Sequence, residues 1–156
     1  KINFEKIAIS VSSHILTELR GDVLFVLDEK SAFQLIDMCY RTNKEQKKQG
    51  LLTEMGMSII KEVGSVVISS YIGALSIMLK KLIIPSIPTL VNGPLQEIIS
   101  IAMGPYGSED YIVLIEAIFE QPAQDIKGSF YLILNPDAMQ AVKNSCKDML
   151  NSLEKE

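Results

Sequence analysis

The 156-residue chain has the length of one domain, which is long enough to bury a hydrophobic core. Its formal net charge is −4, which argues against nucleic acid as a partner, because phosphate binding needs a basic face. Apolar residues make up 47 % of the chain, but no uncharged apolar run approaches the roughly 20 residues that cross a bilayer, so we expect no membrane insertion.

The first third of the chain predicts a β-hairpin followed by a helix. Ile7–Thr17 has the composition of a strand, Leu19–Asp22 supplies a turn, and Val23–Leu27 is a short apolar run typical of a buried strand. Asp28 or Ser31 is a suitable N-cap for the helix. Its expected apolar face consists of Ala32, Leu35, Ile36 and Cys39.

A polar loop, Asn43–Gly50, leads to the longest periodic segment of the chain, a helix predicted over Leu52–Leu82 with Thr53 as its N-cap. Its expected buried positions are Met55, Ile59, Val63, Val66, Val67, Ser70 or Tyr71, Ala74, Leu75, Met78 and Leu79. A polar stripe shares one face of this helix: Glu54, Ser58, Glu62, Ser65 and Ser69. Such a stripe is either the solvated side of the helix or a functional surface.

The C-terminal half is predicted to alternate between extended and helical segments. Two prolines make residues 83–94 an extended connector, and Pro94 starts a short helix over Leu95–Met103. Tyr111–Phe119 and Ser129–Leu134 are predicted strands. Asn135 caps and Pro136 opens a final helix, whose expected apolar face is Met139, Val142, Cys146, Met149, Leu150 and Leu153.

The layout of the two halves is similar. The segment from Gly21 and the segment from Gly128 each consist of a strand, an Asp or Asn cap and an amphipathic helix, after a preceding strand. We therefore predict a pseudo-twofold α+β domain over residues 1–156, with an antiparallel sheet, packed helices and one long central helix. Under this interpretation, an N-terminal helix equivalent to Leu52–Leu82 is missing before the first strand.

The sequence contains no self-contained catalytic motif. It has no phosphate-binding glycine loop and no nucleophile elbow. His14 is the single histidine and lies in a predicted strand, so histidine catalysis and metal binding are poorly supported. Cys39 and Cys146 are too few for a disulfide framework and are interpreted as reduced thiols of a cytoplasmic protein.

The polar stripe nevertheless carries a recognisable pattern. Ser58, Glu62, Ser65 and Pro88 follow the spacing Ser-x3-Glu-x2-Ser-x22-Pro. This pattern resembles the signature of the CheC, CheX and FliY phosphatases of bacterial chemotaxis, with Ser65 in place of the family Asn. The flanking segments IIKEVGSVVISSYIGALS, IIPSIP, YIVLIEAIF and GSFYLILNPDAM also look like the second half of CheC, and the resemblance covers most of Ile7–Leu153.

The resemblance implies a function. Proteins of this family hydrolyse the aspartyl phosphate of a phosphorylated CheY-type response regulator. By analogy, Glu62 would engage a lysine of the regulator, and Ser65 would take the place of the amide that orients the attacking water. The protein would need no cofactor of its own, because the regulator carries the Mg²⁺ ion. Positioning and charge stabilisation suffice for such a reaction.

The Ser65 departure leaves alternatives open. A hydroxyl is shorter than an amide and rotates more freely, so it holds a water less well. The second hypothesis is a weakly active or inactive adaptor that binds a regulator, the deamidase CheD or the flagellar switch. A third is a dimerisation or regulatory module within a longer protein, and a homodimer also stays open.

Overall fold

The computed structural model describes residues 5–17, 19–39, 53–104 and 113–153. The predicted loop Asn43–Gly50 lies outside them. The strands are β1 (Ile7–Ile15), β2 (Gly21–Asp28), β3 (Thr89–Pro94), β4 (Val113–Gln121) and β5 (Ile126–Leu134). The helices are α1 (Glu29–Cys39), α2 (Glu54–Leu79), α3 (Leu95–Met103) and α4 (Pro136–Leu153), and a single 3₁₀ turn, Pro122–Gln124, joins β4 to β5.

The strands form one antiparallel sheet in the order β3-β1-β2-β5-β4. Side chains alternate between its faces, so the central strands contribute to two cores. Val11, Phe25 and Leu132 face the core shared with α1, α2 and α4, whereas Leu24 and Ile133 face α3. The predicted α+β fold with a long helix on an antiparallel sheet is confirmed.

The repeated layout has a structural counterpart at the centre of the sheet. β2 and β5 are antiparallel neighbours, each the second strand of a hairpin and each followed directly by a helix. Both helices are capped in the same way: Asp28 Oδ1 accepts a hydrogen bond from the N–H of Ser31 at 2.7 Å, and Asn135 Oδ1 accepts one from the N–H of Ala138 at 2.8 Å. Asp28 is therefore the cap of α1, and Ser31 is not.

The N-terminal end of α2 agrees with the sequence prediction, whereas its C-terminal end falls three residues before the predicted Leu82. The Thr53 side chain accepts a hydrogen bond from the N–H of Gly56, and the helix ends at Leu79, because Lys80 adopts a left-handed conformation with φ of 51°. Among the described residues, α2 is the helix that is long and apolar enough to cross a membrane. This is weak support for a span, because core helices of soluble proteins meet the same criterion.

The predicted buried face of α2 was rotated relative to the observed one. The buried residues follow a four-residue spacing from Gly56 through Ile60, Gly64 and Ile68 to Ile72, and Leu79 follows two turns later. Val63, Val67, Tyr71 and Leu75 pack beside them and are partly buried. Met55, Val66, Ala74 and Met78 are exposed, contrary to prediction. Apolar residues occur on every side of this helix, so periodicity alone did not distinguish the core face.

Two further predictions were wrong. The proline connector contains an unpredicted strand, β3, which pairs with β1 and forms an edge of the described sheet, a position that tolerates proline. Cys39 at the end of α1 is exposed, and so are Met149 and Leu150 near the end of α4.

Candidate functional site

A close contact between helix and sheet fixes the orientation of α2. Gly64 is buried against Val11 of β1, and a Cβ atom added to Gly64 would lie 2.6 Å from Val11 Cγ2. Two turns further along, the ring of Tyr71 stacks on that of Phe130 of β5, with centroids 5.3 Å apart. Both contacts lie on the sheet side of α2, so the polar stripe on its other side faces away from the sheet.

The structure places the predicted stripe at the surface. Glu54, Ser58, Glu62 and Ser69 are exposed, and Ser65 is half-buried at the edge of the stripe. At three- and four-residue spacing, neighbouring members have Cβ atoms about 5–6 Å apart, so Glu62 is adjacent to both Ser58 and Ser65. A carboxylate and two hydroxyls are thus presented together.

The three motif side chains differ in their hydrogen bonding. The Ser58 hydroxyl donates to the backbone carbonyl of Glu54 at 2.9 Å, which commits its proton to the helix. Within the described part of the chain, neither Glu62 nor Ser65 forms a side-chain hydrogen bond or ion pair. Glu62 is therefore available to an external partner, and the Ser65 hydroxyl retains both its donor and its acceptor capacity.

Charge is sparse along α2, which makes Glu62 distinctive. The helix contains only three charged residues, Glu54, Lys61 and Glu62, and none follows Glu62 before Lys80. A partner that contacts the middle of α2 would therefore meet one carboxylate surrounded by small polar and apolar side chains. This arrangement suits the binding of a single cation on a partner, such as a lysine ammonium.

Pro88 belongs to a different element from the other motif residues. It immediately precedes β3 and is half-buried. Leu90, two residues later, pairs with Val11, the residue that Gly64 contacts. Pro88 thus lies beside the edge of the sheet, in a different element from Glu62.

Sequence reasoning missed two contributors to this surface. Gly64 had no assigned role, although a glycine inside a long apolar helix signals a close approach of another backbone or side chain. Val66 was assigned to the core, but 58 % of its side chain is exposed beside Ser65. The surface around Glu62 is therefore less polar than the stripe alone suggested. The described residues contain no cluster of His, Cys, Asp or Glu able to hold a metal ion.

Comparison with known proteins shows a similarity in structure. No protein-family model and no curated protein matches the chain. Among solved structures, the crystal structure of Thermotoga maritima FliY is similar, with a TM-score of 0.68 at 20 % sequence identity; the match covers 93 % of this chain and 73 % of that chain. The fold is FliY-like. At this identity the similarity concerns the fold alone.

Proposed function

We propose that this protein hydrolyses the aspartyl phosphate of a CheY-type response regulator in chemotaxis signalling and so acts in the cytoplasm. The observation that carries the proposal is the exposure of Glu62 and its neighbours Ser58 and Ser65 on the outward face of α2. The FliY-like fold supports it, because FliY belongs to the family whose motif spacing these residues follow.

In the proposed reaction, a water oxygen attacks phosphorus as the bond between phosphorus and the aspartyl oxygen breaks. The regulator's aspartate leaves as a carboxylate, and inorganic phosphate is released. The regulator contributes the phosphoryl group and the Mg²⁺ ion that neutralises its charge. The phosphatase holds the attacking water in position relative to the phosphoryl group, and such positioning alone accounts for a large part of the rate enhancement in reactions of this kind.

Glu62 and Ser65 would divide this task. The Glu62 carboxylate binds a lysine of the regulator and so fixes how α2 docks. The Ser65 hydroxyl, one turn further along, accepts a hydrogen bond from the attacking water or donates one to it. Gly64 and Val11 hold the helix at a defined distance from the sheet, which keeps both side chains in register with the partner.

The test is hydrolysis of a phosphorylated CheY-type regulator by this protein and by Glu62→Ala. Glu54→Ala is the matched control, because Glu54 is also exposed and lies on the same stripe, eight residues or about 12 Å away. We expect Glu62→Ala to abolish the stimulated loss of phosphate and Glu54→Ala to retain it. Equal turnover by Glu62→Ala and the unaltered protein would contradict the catalytic role.

A second candidate function is supported by Ser65 itself. It is half-buried and carries a short hydroxyl where the family signature has an amide, which favours a catalytically weak adaptor. Such a protein would bind a regulator, CheD or the flagellar switch through the same face of α2. It would bind the phosphorylated regulator without accelerating hydrolysis, and Glu62→Ala would then weaken binding while the rate of phosphate loss stayed at its intrinsic value.

A further inference from the structure

An exposed group of large aliphatic side chains surrounds the C-terminal end of α2. Its members are Leu16, Ile77, Leu82, Ile84 and Ile87, which we term the aliphatic end. Their exposed fractions are 66 %, 81 %, 73 %, 44 % and 85 %. Clusters of this kind on a soluble domain mark interaction sites more often than scattered single residues do.

Backbone hydrogen bonds tie the ends of β1 and α2 to the connector that carries Leu82, Ile84 and Ile87. The N–H of Leu16 donates to the carbonyl of Ile84 at 2.9 Å, which fixes the end of β1 against the connector. The left-handed turn at Lys80 returns the chain along the end of α2, where the N–H of Lys80 donates to the carbonyl of Ile77 at 3.3 Å. Leu82 and Ile84 flank the buried Ile83, so their side chains point to the opposite side, toward solvent.

Lysine and arginine side chains lie beside the aliphatic end. Lys80 and Lys81 separate Ile77 from Leu82, and the exposed Arg20 lies where β2 begins beside the end of β1. Asp22, at the same end of the sheet, is buried and pairs with His14, and the exposed Asp137 lies at the start of α4, after β5; Glu18 lies outside the described residues. On a chain of net charge −4, this end therefore has a locally basic character among the described residues.

We propose that the aliphatic end docks an acidic amphipathic segment of a partner protein. Aliphatic residues of that segment would cover Ile77, Leu82 and Ile87, and its carboxylates would face Lys80 and Lys81. This is a separate surface from the proposed regulator-binding face, because Ile77 follows Glu62 by 15 residues, or about 22 Å of helix. The chain would thus connect two partners through one helix.

Charge favours this occupant over two others. In a symmetric contact with a second copy, the same patch faces itself, which would bring Lys80 and Lys81 toward their own equivalents. An anionic membrane would attract two lysines by about 1 kcal/mol each, but it would repel the net charge of the chain. An acidic segment satisfies the lysines and the aliphatic surface without either conflict.

The test uses two labelled synthetic amphipathic helices with an identical leucine face, one carrying Glu on its polar face and the other Lys. We expect the unaltered chain to bind the Glu peptide at least about tenfold more tightly, with a preference that shrinks as salt is added. Lys80→Asp/Lys81→Glu should reverse the preference, since Asp tolerates the left-handed conformation at position 80.

Leu82→Ser should weaken binding of both peptides by about tenfold or more. Ile118→Ser is the matched control, because Ile118 is 70 % exposed on β4, between Glu116 and Glu120, and its replacement should leave both affinities unchanged. Equal affinity for the two peptides, or no binding, would overturn the proposal. So would binding to phosphatidylcholine–phosphatidylglycerol vesicles in place of the peptide, or a concentration-dependent dimer that Leu82→Ser disperses. Thermal unfolding of each variant checks that it is folded.

Discussion

Gly64 of α2 and Val11 of β1 are packed so closely that a methyl group on Gly64 would meet Val11 Cγ2 at 2.6 Å and Val11 Cβ at 2.7 Å. Real Cβ atoms are not found this close to another carbon. The contact lies on the side of α2 opposite to Glu62, and it therefore determines how far the motif face stands from the sheet. Packing in the core and presentation of the site are thereby linked through one residue.

This contact predicts opposite effects for two glycine substitutions in the same helix. Alanine gains about 1 kcal/mol over glycine in a helix interior. At Gly64 the clash with Val11 outweighs this gain, so Gly64→Ala should lower the free energy of unfolding by about 1–3 kcal/mol. At Gly73 nothing lies within 4 Å of the added carbon, and Gly73→Ala should raise it by about 0.5–1 kcal/mol. Denaturant unfolding measures both.

The same experiment has an internal check. If the clash is with Val11, the double variant Val11→Ala/Gly64→Ala should be more stable than the sum of the two single changes predicts, because the smaller side chain makes room. Simple additivity, or a Gly64→Ala variant as stable as the unaltered chain, would show that α2 does not rest on Val11 as described.

On the other face of the sheet, Tyr131 is buried and its hydroxyl donates to Glu116 Oε1 at 2.7 Å. Burial, followed by the hydrogen bond to Glu116 and its charge, raises the pKa of Tyr131 to about 12. A raised pKa in the folded state stabilises the fold fully below the unfolded value of about 10, and this contribution disappears between pH 10 and about 12.

The variant Glu116→Gln separates the effect of burial on the pKa of Tyr131 from the effect of the Glu116 charge. The amide oxygen still accepts the hydrogen bond, but the negative charge is gone, so the pKa of Tyr131 should fall while burial keeps it above 10. The pKa of Tyr131 is measured by following the ultraviolet absorbance of tyrosinate as pH rises and subtracting the titration curve of Tyr131→Phe. A pKa that does not change in Glu116→Gln would mean that the carboxylate has no effect on Tyr131.

At the cap of α1, burial tends to raise the pKa of Asp28, but hydrogen bonds from Lys6 and Ser31 outweigh it and hold the pKa below its usual value. Lys6 Nζ lies 2.7 Å from Asp28 Oδ2. Asp28→Asn keeps a good cap and removes the charge, so it should lower the free energy of unfolding at neutral pH by no more than about 1 kcal/mol.

The sign of the pH dependence follows from the lowered pKa. Asp28 stabilises the fold above its unfolded pKa, and the advantage over Asp28→Asn should vanish as pH falls below about 3.8. Asn135→Ala is the control: it removes the equivalent, uncharged cap of α4 and should cost about 1 kcal/mol with little dependence on pH. Denaturant unfolding at several pH values gives both differences, and a constant gap for Asp28→Asn would contradict a charged contribution.

The predictable parts of the fold were those with local signals. The α3 boundaries agree with the prediction because Pro94 and Gly104 flank the helix, and both N-caps followed by amphipathic helices were visible in the sequence. The strand β3 was missed because its stability comes from pairing with β1, which is remote in sequence, whereas its prolines suggest an irregular connector. Long-range pairing overrode the local composition.

In the candidate site, too, local features were predictable from the sequence, whereas features that depend on long-range contacts were not. The spacing of Ser58, Glu62 and Ser65 was sufficient to place them on one face of a helix, and the structure shows that face turned outward. The bond from Ser58 to the Glu54 carbonyl and the partial burial of Ser65 were not predictable, because they depend on the side-chain rotamer and on how α2 lies on the sheet. Gly64 determines that position, and its role appears only with its neighbour Val11.

The position where the chain departs from the family signature gives the most direct test of the proposed chemistry. Ser65→Asn restores an amide one turn from Glu62, and the half-buried edge of the stripe has an open side toward solvent. If Ser65 occupies the water-orienting position, this change should raise the rate of regulator dephosphorylation, by up to about 10²-fold. Ser69→Asn, one turn further along on the exposed stripe, should have no such effect.

The gain in rate from Ser65→Asn should depend on Glu62, so Glu62→Ala/Ser65→Asn should be as slow as Glu62→Ala. A rate that stays flat or falls in Ser65→Asn would contradict the assignment of Ser65 and leave regulator binding as the function of this face.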